Sequence, residues 1–216
     1  MFSVRDRARS MIRRASARFR SVFDGVESLH CFSAGGYYDP GRVSFGSLIG
    51  MDEHRVDPGA GFDWHAHRGV QIASWILDGR LRHEDSNGEA RVVGPGELLV
   101  QSTGDGIRHR ETNASDTDRL RFVQLTLLAD AEPSVRTDRL PTTLAGVDLS
   151  LRHTSFDSLR LPAFAVVLSG QFHTEFRTEG GVAVIGAGDW LEIEGGRRVT
   201  VEGRGELLVL EFRALP

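Results

Sequence analysis

Hydrophobic residues in this chain come in short bursts. Val43–Ile49, Val70–Leu77, Glu97–Gln101, Leu120–Leu127, Ala163–Leu168, Val182–Ile185 and Glu206–Phe212 are rich in Val, Ile, Leu and Phe, and Gly, Pro, Asn and Asp separate them. Such bounded runs predict strands. Ser86-Asn87-Gly88-Glu89 carries the Asn-Gly of a tight hairpin. No long stretch beyond the first twenty-odd residues has the 3.6-residue period of an amphipathic helix. The pattern predicts an all-β sandwich or barrel.

The pattern also repeats. Ile76-Leu77-Asp78-Gly79 leads into Arg80-Leu81-Arg82-His83 and later Gly94-Pro95-Gly96-Glu97. In the second half, Val167-Leu168-Ser169-Gly170 leads into Gln171-Phe172-His173 and later Gly186-Ala187-Gly188-Asp189. Each half has a strand, a Leu-x-Gly turn, another strand, and a Gly-x-Gly-acid turn. Two copies of one β-barrel unit account for this. The expected organisation is a basic arm over 1–24, a first barrel over 25–130, a connection over 131–143 with Pro133 and Pro141, and a second barrel over 144–216.

Two histidine pairings stand out against this background. His65-Ala66-His67 and His109-Arg110-Glu111 each place two donor side chains two residues apart. On a strand such residues point to the same face, so each motif is a two-pronged claw. Two claws facing one another inside a barrel make a four-ligand site of three imidazoles and a carboxylate. That set suits iron, nickel, copper, cobalt or zinc. His173 and Glu175 form a further H-x-E, but without an accompanying H-x-H they read as strand surface.

Composition narrows the chemistry. All 26 basic residues are arginine. Without lysine there is no Schiff-base catalysis, no pyridoxal phosphate attachment and no Walker A loop. The single cysteine, Cys31, excludes an intramolecular disulfide and a C-x-x-C site. It reads as a small buried hydrophobe in a reducing, cytoplasmic setting. The net charge of -4 gives no general attraction to nucleic acid or anionic membrane. No apolar run approaches the ~20 residues that span a bilayer. Seven arginines within the first twenty residues, against Asp6 alone, read as a frayed basic arm or a short helix.

The Leu-x-Gly and Gly-Pro-Gly-Glu turns resemble the cupin double-stranded β-helix. A fuller resemblance, over about residues 28–128, is to the pirin family of two-barrel cupins. Its motifs are Tyr37-Tyr38-Asp39-Pro40, Val56-Asp57-Pro58-Gly59-Ala60-Gly61-Phe62, His65-Ala66-His67-Arg68-Gly69, His83-Glu84-Asp85-Ser86-Asn87-Gly88, Gly94-Pro95-Gly96-Glu97 and Gly106-Ile107-Arg108-His109-Arg110-Glu111. The resemblance implies a bicupin of two jelly-roll barrels. It implies one metal, usually iron, held in the first barrel by His65, His67, His109 and Glu111, and a second barrel without metal. Three positions depart from the family pattern. Ala66 stands in place of the usual proline, and Arg110 in place of serine. Gln71 stands where many relatives have glutamate. Arg110 is expected on the strand face opposite the ligands.

The resemblance also implies two kinds of function. One is a quercetinase-type dioxygenase that opens a flavonol ring with O2 and releases carbon monoxide. Glu111 would then take the proton of the substrate hydroxyl, and Trp64 and Trp75 are candidates for the pocket wall. The other is a redox-responsive regulatory protein that binds a transcription factor or a metabolic enzyme, with Asp85 and Arg110 as surface features. Beside these two stands a separate reading, a metabolic or stress role with a substrate unrelated to flavonols. A monomer without membrane or nucleic-acid partners is expected in each case. Because imidazoles bind metal only when neutral, metal should be lost as pH falls through the histidine range.

Overall fold

The computed structural model describes residues 10–153, 157–160, 162–178, 181–195 and 198–213. Apart from a 3-10 turn at Ala15–Ala17, the elements among them are β-strands. They divide into two units. One spans Arg18–Leu140, and the other joins the described residues up to Ala17 with those from Pro141 onward. The first strand, β1 (Ser10–Arg13), belongs to the latter.

The Arg18–Leu140 unit holds β2 (Phe19–Phe23), β3 (Val26–His30), β4 (Leu48–Val56), β5 (Gly61–His67), β6 (Val70–Asp78), β7 (Leu81–Asp85), β8 (Ala90–Val93), β9 (Leu98–Ser102), β10 (Ile107–Asn113), β11 (Leu120–Leu128) and β12 (Ser134–Asp138). Seven of them form an antiparallel sheet in the order β12-β9-β6-β11-β4-β3-β2. The other four form a second antiparallel sheet, β5-β10-β7-β8. Val56, Ile76, Leu99 and Phe122 of the first sheet pack with Leu81 and Val93 of the second in one buried core. β6, near the middle of the larger sheet, is buried along most of its length, which is why it reads as an unbroken apolar run.

The second unit holds β13 (Thr142–Leu144), β14 (Val147–Arg152), β15 (Asp157–Leu159), β16 (Ala163–Thr178), β17 (Gly181–Gly186), β18 (Trp190–Ile193) and β19 (Val199–Phe212). Its two long strands change partners along their length. β16 pairs first with β18 and then with β17, while β19 pairs first with β15 and then with β14. A bulge between Val167 and Ser169 marks the bend in their mutual pairing. One sheet thereby folds over a core that includes Phe172, Ile185, Leu191 and Val209. The repeated turn glycines have the same steric role in both units. A Cβ on Gly79 (φ 77°) would lie 2.5 Å from the Arg119 carbonyl oxygen, and one on Gly170 (φ 80°) would lie 2.0 Å from that of Arg204.

Three expectations differ from the structure. The stretch expected as a basic arm contributes strands where it is described: β1 pairs with β18, and β2 forms an edge of the seven-stranded sheet. Its arginines have carboxylate partners. Arg13 bonds Glu192 at 2.9 Å, Arg14 bonds Asp189 at 2.8 Å, and buried Arg18 lies 3.3 Å from Glu53. Much of what reads as a solvated charge run is one half of a set of ion pairs. Within the expected connection, Ser134–Asp138 is β12, hydrogen-bonded to β9. Finally, the strand expected over Val43–Ile49 starts at Leu48 and continues through Asp52-Glu53-His54-Arg55 to Val56. Those polar residues are accommodated because Arg18 and Arg121 meet Glu53 while Ser28 meets His54.

Candidate metal centre

β5 and β10 run antiparallel with His65 opposite His109 and His67 opposite Ile107. Between them the register slips. Glu111 faces Phe62, so β5 carries one extra residue between Phe62 and His65. A bulge of this kind interrupts the ladder and leaves backbone groups for other partners. Here the Asp63 carbonyl accepts from His65 Nδ1 at 2.7 Å. A carbonyl only accepts, so Nδ1 carries the proton and Nε2 presents its lone pair. That Nε2 lies 2.9 Å from Nε2 of His109. The His67 ring is centred 4.8 Å from the His65 ring and 4.9 Å from that of His109. One donor atom from each of the three lies within 4.8 Å of the others.

Glu111 is buried, and its two oxygens differ in surroundings. Oε2 accepts from Gln124 Nε2 at 2.7 Å, and Oε1 accepts from Ser74 Oγ at 3.3 Å. Gln124 and Ser74 are cross-strand neighbours on β11 and β6, linked at 3.0 Å. His83 of β7 stands opposite Glu111 in the β7–β10 register. It is fully buried, and its ring is centred 5.2 Å from that of His109. His83, His109 and Glu111 make a second group of three potential donors. The four predicted ligands thus occur as two triplets that share His109, with His83 added to the inner one.

The electrostatics favour the neutral forms of His67, His83 and His109. Burial, reinforced by the neighbouring imidazoles, pushes His109 down to about 2. Burial and His65 push His67 down to about 4. Burial raises Glu111 above the usual carboxylate value, partly opposed by the donors Gln124 and Ser74 and by His65. The ring Nδ1 atoms of His83 and His109 are buried without a hydrogen-bond partner. Converging imidazoles, with His67 and His109 held neutral, beside a buried carboxylate fit a first-row divalent metal.

The cluster opens into a cavity of about 450 Å³. His65, His67, Glu111 and Gln124 line one part of it. Ser21, His30, Asp52 and His54 from β2, β3 and β4 line another, and Phe23 and Phe62 add apolar wall.

The family model described as Pirin matches residues 12–127. The chain belongs to the pirin family. Over 119 residues this pirin is 34% identical to quercetin 2,3-dioxygenase of Escherichia coli K12, an alignment covering 55% of the chain and 52% of that relative. It is 41% identical over 120 residues to a Mycobacterium tuberculosis protein named, provisionally, quercetin 2,3-dioxygenase, with 56% and 49% covered. The chain spans about half the length of the curated relatives it matches. In three dimensions it resembles the E. coli pirin YhhW in complex with nickel(II), with TM-score 0.84, 22% identity, 95% of this chain and 100% of that one. It also resembles a quercetin 2,3-dioxygenase of Acinetobacter baumannii, with TM-score 0.69, 15% identity, and 95% and 79% covered. These structural likenesses establish the bicupin jelly-roll fold.

The departures from the family pattern have distinct surroundings in this pirin. Arg110 lies on the face away from the cluster, bonded to Glu84 at 2.7 Å and 5.5 Å above the Trp64 ring. Trp64 is therefore part of that outer face, and Trp75 is buried; neither borders the cavity. Gln71 turns its amide to Ser102 at 2.8 Å, away from the histidines. Cys31 is buried, with its thiol 3.3 Å from the Met51 sulfur. In the second unit His173 is exposed, and the Glu175 side chain lies outside the described residues. No helix among the described residues is long and apolar enough to cross a membrane.

Sequence reasoning missed His83 as a donor, although it sits in the quoted His83-Glu84-Asp85 motif. Only the β7–β10 register brings it to Glu111. It also missed Ser21, His30, Asp52 and His54, which show no claw spacing.

Proposed function

We propose that this pirin holds one divalent transition metal through His65, His67, His109 and Glu111 and acts as a quercetinase-type dioxygenase on a flavonol and O2. One observation carries the reading: three imidazoles, two of them held neutral by burial, and a buried carboxylate converge at the wall of a cavity of about 450 Å³. That volume suits a small aromatic ligand. The shared name of the relatives supports the reaction class. Iron is the metal implied by the resemblance, and nickel, copper, cobalt, manganese and zinc suit the same donors.

A metal bound there would act as a Lewis acid, lowering the pKa of a coordinated substrate hydroxyl. The protein's own contributions follow from the geometry. The Asp63 carbonyl fixes the His65 tautomer. Ser74 and Gln124 hold the carboxylate plane of Glu111. Of its oxygens, Oε1 has the longer contact, 3.3 Å to Ser74, and is the freer acceptor for the hydroxyl proton. Burial favours the protonated form that results. Phe62 and Val26 supply apolar wall around the aromatic ligand.

Metal analysis of the purified protein, followed by anaerobic loading and exposure to quercetin in air, tests this. Loss of the flavonol absorbance with stoichiometric metal supports the proposal. Absence of turnover with iron, nickel, copper, cobalt and manganese overturns the enzymatic part, and absence of any bound metal overturns the whole.

A further inference from the structure

Across the cavity from the metal cluster lies a hydrogen-bonded chain of three residues. His30 Nδ1 is 2.7 Å from Asp52 Oδ1, and His30 Nε2 is 2.7 Å from Ser21 Oγ. The residues come from three neighbouring strands, with His30 directly opposite Asp52 in the β3–β4 register. The directions of the bonds are fixed by chemistry. A carboxylate accepts, so His30 Nδ1 donates to Asp52, and in the neutral imidazole Nε2 then accepts from the Ser21 hydroxyl. The lone pairs of Ser21 Oγ are left for the cavity that all three residues border. A serine, an imidazole and a carboxylate linked in this order can take up a proton from a hydroxyl donor.

The surroundings indicate what that donor is attached to. Phe23, two residues from Ser21 and on the same side of β2, also borders the cavity and is 80% exposed. A bare aromatic ring beside a proton-accepting hydroxyl suits a phenol. The same sheet row that contains His30 and Asp52 continues through Gln124 and Ser74, the two residues that hold Glu111. The metal cluster and the Ser21 chain therefore stand at two ends of one polar row.

The geometry points to a second substrate subsite, in which Ser21–His30–Asp52 receives a phenolic hydroxyl remote from the one at the metal cluster. As the phenol proton moves to Ser21 Oγ, the serine's own proton moves to His30 Nε2. The products are a phenolate and an imidazolium hydrogen-bonded to Asp52. No bond to carbon is made or broken and no oxidant is needed. Ser21 touches the ligand; His30 and Asp52 are positioning residues. This subsite rests on the flavonol reading of the cavity and sharpens it to flavonols hydroxylated on the pendant phenyl ring.

Anaerobic absorbance titration of the metal-loaded protein provides the test. The probes are quercetin, which has hydroxyls on its pendant phenyl ring, and galangin, which shares the hydroxyls of the fused rings but has none on the pendant ring. The wild-type protein should bind quercetin about tenfold more tightly, the worth of one well-made hydrogen bond. Ser21→Ala and Asp52→Asn should erase that preference and leave galangin binding and metal content unchanged. Equal binding of the two flavonols, or equal weakening of both in the variants, overturns the subsite. If neither flavonol binds, the flavonol reading fails by itself, and 4-nitrophenol then decides. A phenolate spectrum on binding that Ser21→Ala abolishes sustains the relay. No such spectrum overturns it.

Discussion

His65 and His109, paired across β5 and β10, face each other through their Nε2 atoms at 2.9 Å. The His65 atom is a lone-pair acceptor because its Nδ1–H is committed to the Asp63 carbonyl. Two ring nitrogens this close are held together by a shared proton or a shared cation. His109→Ala removes the residue common to both donor triplets. It should lower metal affinity by more than about a hundredfold, beyond the 10–100-fold typical of supporting residues. Competition with a chromophoric chelator measures this, and retention of wild-type affinity would remove His109 from the ligand set.

Gln124 acts one step back. It donates to Glu111 at 2.7 Å and to Ser74 at 3.0 Å. Gln124→Leu keeps the volume roughly constant and takes away the shorter of the two bonds to the carboxylate. Metal affinity should fall by about 10–100-fold while the fold is kept. Chelator competition paired with a thermal melt separates the two effects. A drop in melting temperature without loss of affinity would make Gln124 a structural residue only.

Protons compete with metal for the same imidazoles. Since burial and neighbouring rings lower His67 to about 4 and His109 to about 2, these donors stay unprotonated well below the ordinary imidazole value. Metal should therefore be retained at pH 6 and lost mainly on further acidification. Metal content after dialysis across pH 7.5 to 4.5 checks this. Half-loss at or above the ordinary histidine pKa of about 6.5 would contradict it.

His54 predicts a stability change independent of the metal. It is buried, bonded to Ser28 at 2.8 Å and packed edge-on against Phe62, and burial lowers it from 6.5 to about 4. The fold favours its neutral form. The stability this contributes is complete above pH 6.5 and declines as pH falls toward 4, by at most about 3 kcal/mol. Urea unfolding of wild type and His54→Gln at several pH values isolates the effect. The variant should show the shallower decline between pH 6.5 and 4, and parallel profiles would exclude His54 as its source.

How much of this was legible in the amino-acid order depends on whether a feature repeats locally. Val70–Leu77 and Leu120–Leu127 became β6 and β11 almost residue for residue: β6 is buried on both faces, and β11 mixes buried with half-buried positions on an apolar run. His65 and His67 share a face because a two-residue period survives to the end of β5. The bulge before His65 was not legible, since nothing in Asp63-Trp64 announces an extra residue. Nor was His83, whose position depends on which residue of β10 it meets. Asp52 and His30 read as ordinary polar residues of separate segments, and only their pairing on neighbouring strands makes them partners. The arginines at 13, 14 and 18 misled for a similar reason: their carboxylates lie 35 to 179 positions away.

β2 ends the seven-stranded sheet and is hydrogen-bonded to β3 alone among the described strands, yet it carries Ser21 and Phe23 on the cavity wall. A strand held along one side opens more readily than one held along both. The wall of the cavity is thus also its weakest seam. Detachment of the five residues of β2 would widen the cavity while leaving the strands of His65, His67 and His109 in place. Amide exchange faster in Phe19–Phe23 than in β6 and β11 would be its signature.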